Sequence, residues 1–202
     1  MKALRDFLIN IGLILGIAII IAAMPTERES AIYEDTLRLH ILASSDSERD
    51  QRVKYEIRDL LLNEYGERLK RFTSKDAAEA ELKNMTSEIR EDVNRWLSDK
   101  GEEYECEVDV GVEWYDTREY EDFTLPKGYY TSLRVMLGKA EGKNWWCVMY
   151  PPLCLDIASE DAPRDDAILG YTKEEYSLIT SDGYNIKFKL LEVFSDAFSK
   201  KG

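Results

Sequence analysis

The sequence predicts an α+β fold in which an antiparallel sheet packs against two long helices and a C-terminal amphipathic helix docks on them. Three observations carry this reading. Apolar residues recur at three- and four-residue steps over about residues 47–66 and 74–100, the mark of helices with one buried face. They alternate at two-residue steps over 36–43, 105–114, 129–137 and 145–150, the mark of half-buried strands. With 44% apolar and 33% charged residues in a chain of 202, the composition is globular and suits one domain with an appendage.

The appendage comes first. Lys2 and Arg5 precede the run Phe7 to Ala23, FLINIGLILGIAIIIAA, whose strongly polar member is Asn10. A basic start before an apolar stretch is an export signal oriented with its N-terminus inside. The 17 residues of the run would extend ~25 Å as a helix, just under the ~30 Å hydrocarbon core of a bilayer. Two fates stay open: cleavage near the small residues Ala22 and Ala23, where Ile21 spoils a clean A-x-A, or retention as an anchor. Residues 1–24 are therefore read as a signal peptide or membrane anchor, 25–35 (PTERESAIYED) as a linker, and 36–202 as a single extracytoplasmic α+β domain.

Within that domain, Thr36 to Ala43 alternates Leu37, Leu39 and Ile41 with Arg38, His40 and Leu42, a strand pattern. Ser44 to Ser47 then offers several caps, with Ser47 and Asp50 at capping-box spacing. The helix that follows sets Val53, Ile57, Leu60 and Leu61 on one face and is expected to stop at Gly66. A second helix, from about Ser74 to Lys100, repeats Ala78, Leu82, Met85, Ile89, Val93, Trp96 and Leu97, and Gly101 supplies its stop.

The pattern then turns extended. Cys106, Val108, Val110, Val112 and Trp114 face one way and Glu105, Glu107, Asp109 and Glu113 the other, a half-buried strand with a solvated acidic face. Turn residues Leu125–Pro126–Lys127–Gly128 precede a strand over Tyr129–Leu137. Gly138 to Asn144 reads as a tight connection, and Trp145 to Tyr150 as the strand in hairpin with it. Leu153 to Ile157 would continue the sheet, and 158–183 reads as polar surface loop. The tail sets Leu190, Leu191, Phe194, Ala197 and Phe198 at helical spacing.

The formal charge is −13; residues 1–24 carry Lys2, Arg5 and Asp6, a net +1, which leaves −14 on the remainder. So acidic a surface repels nucleic acid and anionic lipid. One histidine and no C-x-x-C pair leave no zinc ligand set, and no cofactor motif stands out. His40 lies in a strand and reads as a structural histidine rather than the base of a Cys–His pair. In Gly138–Asn144, GKAEGKN, the glycines are one residue too close for a phosphate loop, and Asn144 replaces the hydroxyl that would hold magnesium. No Asp-Thr-Gly or Asp-Ser-Gly occurs, so the chain is not itself an ordinary aspartic protease, and Asp165–Asp166 read as solvated. In an oxidising compartment Cys147 and Cys154, separated by six residues that include Pro151 and Pro152, could bridge and leave Cys106 free. The competing reading is three small buried thiols. On the residues alone the inference ends at an exported acidic α+β domain.

A resemblance carries it further. The stretch Gly138 to Cys154, GKAEGKNWWCVMYPPLC, resembles the signature segment of the stage II sporulation protein R family. Leu37–Asp59, LRLHILASSDSERDQRVKYEIRD, is similar to its opening block, and Lys187–Phe198, KFKLLEVFSDAF, to its closing segment. The chain departs at Asp116 and Glu121, where the family tends to Pro and Gly, and at Tyr129, which replaces a usual acidic residue. The resemblance implies a signalling protein, not an enzyme and without cofactor. It would be made in the forespore, exported into the space between forespore and mother cell, and would activate a membrane-bound aspartic protease there. That protease cuts the sigma-E precursor. The rival classes are an exported thiol-dependent enzyme and an envelope-binding structural module. For the receptor surface, adjacent Trp145 and Trp146 must point to opposite faces of a strand, so one can be core and the other an interface anchor. Asn144, Pro151 and Pro152 would form a rigid rim beside them.

Overall fold

A computed structural model of the chain describes residues 2–23, 27–120, 123–152 and 171–180. Helix α1 spans Lys2–Ala23 and α2 spans Glu27–Glu34. Strand β1 (Leu37–Leu42) leads into the two long helices, α3 (Glu48–Leu69) and α4 (Lys75–Asp99). Strands β2 (Cys106–Tyr115), β3 (Arg118–Glu119), β4 (Thr124–Leu125), β5 (Gly128–Leu137) and β6 (Asn144–Tyr150) follow, and α5 covers Lys173–Thr180. The expected fold class holds: two long helices against a sheet dominated by antiparallel pairs. The expected C-terminal helix over 186–199 and the strand over 153–157 lie outside the described residues.

Both long helices start where their caps dictate. Ser47 Oγ accepts the Asp50 N–H at 3.1 Å, and Ser74 Oγ accepts the Ala77 N–H at 3.3 Å, each satisfying a first-turn donor. Helix α3 does not stop at Gly66. Its buried series Val53, Ile57, Leu61, Tyr65 and Leu69 runs on in four-residue steps through the glycine. Packing of Tyr65 and Leu69, each worth ~1.5–3 kcal/mol when buried, outweighs the ~1 kcal/mol propensity cost of Gly66. Tyr65 Oη also donates to Asp92 at 2.5 Å and ties α3 to α4. Helix α4 buries Ala78, Leu82, Met85, Ile89, Val93 and Leu97, as its period requires, and Gly101 follows its end at φ +72°.

The sheet order is β2-β5-β1-β6, and here one expectation is overturned. Strands β5 and β6 are not a hairpin: β1 lies between them, parallel to β5 and antiparallel to β6. The physical reason is the two-sided burial of β1. Leu37, Leu39 and Ile41 are fully buried under the helices, while Arg38 and His40 are buried on the opposite face. A strand covered on both faces belongs in the middle of a sheet, not at its edge. The β5–β6 connection must then cross over the exit of β1. It does so through Gly138 (φ +55°) and Ala140 (φ 53°), with the Gly142 N–H donating to Ala43 O at 2.9 Å. A Cβ on Gly142 would stand 2.3 Å from Ser45 O, so only glycine permits the crossing. Lys54, almost fully buried in α3, donates to Lys143 O at 3.0 Å and holds the arch from below.

A second, smaller core lies elsewhere. Ile32, Phe123, Leu125, Val148, Tyr171 and Ile179 cluster together, drawing on α2, β4, β6 and α5. The polar stretch expected as a linker is therefore partly helical and buries Ile32. The expected loop over 158–183 likewise contains α5. Thr172 and Glu175 form a reciprocal cap there: Thr172 N–H donates to Glu175 Oε2 at 2.6 Å and Glu175 N–H to Thr172 Oγ1 at 3.2 Å.

Candidate functional site

The chemistry of the molecule gathers on the sheet face away from the long helices. Strand β1 sends Arg38 and His40 to this face, and β2 and β5 bring Glu113, Tyr115, Tyr130 and Ser132 beside them. The Arg38 guanidinium is fully buried, 3.8 Å above the Tyr115 ring and 5.0 Å from Tyr130. Its Nη2 donates to Tyr120 Oη at 2.7 Å, whereas Nε and Nη1 have no hydrogen-bond partner among the described residues. Aromatic faces replace water around this cation.

His40 stands next along the strand. Its Nδ1 is 3.0 Å from Glu113 Oε2, and its ring stacks on Trp146 at 5.5 Å. Tyr115 Oη donates to Glu113 Oε1 at 2.7 Å and lies 2.7 Å from Ser132 Oγ. Burial pushes the Glu113 carboxyl up, but hydrogen bonds from His40 and Tyr115 outweigh it and hold the group below its ordinary range. His40 Nε2 is buried and, among the described residues, meets no hydroxyl or thiol within hydrogen-bond distance. What the arrangement does is lock β1, β2 and β5 together through a largely buried, aromatic-walled polar network. Among the described residues no three His, Cys, Asp or Glu side chains converge as metal ligands.

The two tryptophans do point to opposite faces. Trp145 pairs with Ile41 on the helix side, where the Arg58 guanidinium lies 5.5 Å from its ring. Trp146 pairs with His40 on the other side, beneath the Arg118 guanidinium at 3.5 Å. Both are half-buried, each under its own arginine, rather than one core and one bare. Asn144, also half-buried, opens β6 opposite Leu42. Pro151 and Pro152, read as a rim, are buried. Cys147 is buried and disulfide-bonded, and its expected partner Cys154 lies outside the described residues. Cys106 is a free buried thiol, pushed up to about 12 by burial and by Glu107.

The exposed aromatic surface lies where the periodicity hid it. Val112 and Trp114 continue the buried face of β2 in sequence, but the helix layer covers Val108 and Val110 and leaves these two open, 66% and 52% exposed. Tyr129 on β5, 65% exposed, sits opposite Trp114 in register and meets it edge to face at 5.1 Å. The acidic face assigned to β2 is only partly solvated. Glu113 is held by His40 and Tyr115, and Asp109 Oδ1 accepts from Arg134 Nε at 2.7 Å. The sequence does not single out Arg38, Tyr115 and Ser132 as a group; its one signal is a strand with polar residues on one parity beside strands that carry tyrosines. Helix α1 leaves Phe7, Leu8, Ile14 and Leu15 more than half exposed. Among the described residues no helix is long and apolar enough to cross a membrane.

Comparison with known proteins places this architecture among relatives. The family model described as stage II sporulation protein R matches residues 33–160. A curated relative, stage II sporulation protein R of Bacillus subtilis (strain 168), is 30% identical over 213 aligned residues, covering 96% of this chain and 95% of the relative. No solved structure matches the chain.

Proposed function

The chain belongs to the stage II sporulation protein R family, and from that premise we propose that it is an exported ligand that activates a membrane-bound aspartic protease of the mother cell. The protease, once active, cuts the sigma-E precursor. The observation that carries this reading is the similarity over 96% of the chain, which extends over most of its length, N-terminal apolar segment and α+β domain alike. An apolar, solvent-facing N-terminal helix ahead of a folded acidic domain supports a role outside the cytoplasm. The rival reading, a thiol enzyme using Cys147 or Cys154, is poorly served by Cys147, which is buried and disulfide-bonded and so presents no thiolate.

Activation in this reading is differential binding. The ligand holds the active arrangement of its receptor more tightly than the inactive one, by ~1–3 kcal/mol for a 5–150-fold shift. Reconstituting the chain with candidate membrane proteases and scoring cleavage of the sigma-E precursor tests it. Cleavage that requires the chain supports the reading, and precursor processing at the same rate without the chain would overturn it.

A further inference from the structure

Strand β2 is an edge of the four-stranded sheet, and its two parities present different chemistry to anything laid beside it. One parity offers Val112 and Trp114, extended by Tyr129 across β5; the other offers the exposed Glu107 and the half-exposed Asp109, which also pairs with Arg134, while Glu113 is taken up by His40 and Tyr115. The strand is ten residues long and contains no Lys or Pro, two of the devices by which natural edges are blunted. We propose that this edge is a docking surface for an extended segment of a partner protein in which apolar residues alternate with Lys or Arg. Such a segment would add a strand to the sheet, placing its apolar parity over Val112 and Trp114 and its basic parity along the carboxylates.

Charge decides the occupant. A second copy of this chain pairing edge to edge would bring carboxylates of one β2 against those of the other, and like charges across a strand pair are destabilising. With a formal charge of −13, the chain also repels its own copies at long range. A basic amphipathic strand gains on both parities. The inference rests on the proposed signalling role only for naming the receptor protease as the protein that would supply this strand.

The probe is a synthetic eight-residue peptide alternating Val and Lys, measured by fluorescence anisotropy against the full chain. Controls are a Val–Glu peptide and a Val–Lys peptide of the same composition with its lysines blocked together. The alternating Val–Lys peptide should bind at least tenfold tighter than either control, and the double variant W114S/Y129S should lose at least tenfold in that binding with its thermal midpoint unchanged. The variant E107Q should lose less and should flatten the salt dependence. Equal binding of all peptides, or equal binding by W114S/Y129S, would overturn the proposal. So would a wild-type dimer that W114S/Y129S dissolves, since the occupant would then be a second copy. Peptide binding without any precursor processing would keep the docking surface and sink the signalling role; the converse would do the reverse.

Discussion

The two faces of the sheet are held by different physics. Under α3 and α4, Leu37, Leu39, Ile41, Leu133 and Val135 are fully buried against aliphatic side chains, and the stabilisation is area removed from water. On the opposite face Arg38, His40, Glu113, Tyr115 and Ser132 fill the same strands with a hydrogen-bonded and cation–π network. The first face tolerates no loss of volume; the second tolerates no loss of a partner. A single sheet thus combines a non-directional core with a directional one, and the directional one specifies how β1 sits between β5 and β6.

Substitutions on each face sharpen the contrast. Ile89→Ala removes a fully buried side chain from the helix-side core and should cost about 2–5 kcal/mol in denaturant unfolding. A cost under about 1 kcal/mol would mean that this face is loosely packed. Arg38→Ala should cost ~2–3 kcal/mol, from lost packing against Tyr115 and Tyr130 and lost cation–π attraction. Arg38→Met should recover much of that, because it refills the space without the buried charge. If Met were no better than Ala, the cation itself would be the stabilising element.

Glu113→Gln should cost roughly 1–2 kcal/mol near neutral pH, the worth of charge-assisted hydrogen bonds to His40 and Tyr115. The sign with pH follows from its depressed folded pKa. The unfolded carboxylate protonates first as pH falls, so the contribution is present above the unfolded pKa and lost as pH drops through the folded one. Stability curves of wild type and Glu113→Gln should converge in acid; parallel curves down to pH 3 would show that Glu113 is not the titrating group. The smallest effect belongs to the uncovered end of the sheet. Trp114→Ser should change stability by less than about 0.5 kcal/mol, since the side chain rests on no core.

How much of this was legible follows from the same contrast. Helix α4 reads directly because seven apolar residues keep one period, and the N-cap of α3 reads because Ser47 and Asp50 stand at capping-box spacing. The helix-side core reads for the same reason. The order of the strands does not, because GKAEGKN looks like a hairpin turn whether it joins neighbours or arches over a third strand. Nor does the polar face: Glu113 reads as solvated, and nothing in the sequence brings Tyr115 and Tyr130 over Arg38 or Trp146 over His40. Val112 and Trp114 mislead in the opposite sense: parity says which way a side chain points, not whether a helix is there to meet it. Helix α5, capped by Thr172 and Glu175, lies in a stretch whose polarity reads as surface loop.

The proposed signalling role makes a sided prediction that no stability measurement reaches. The membrane protease would be placed in sealed vesicles with the sigma-E precursor inside, and the purified domain, residues 25–202, added outside. Cleavage of the enclosed precursor, dependent on the added chain, is the predicted result. Cleavage only when the chain is supplied on the precursor's own side, or none on either, would contradict the account.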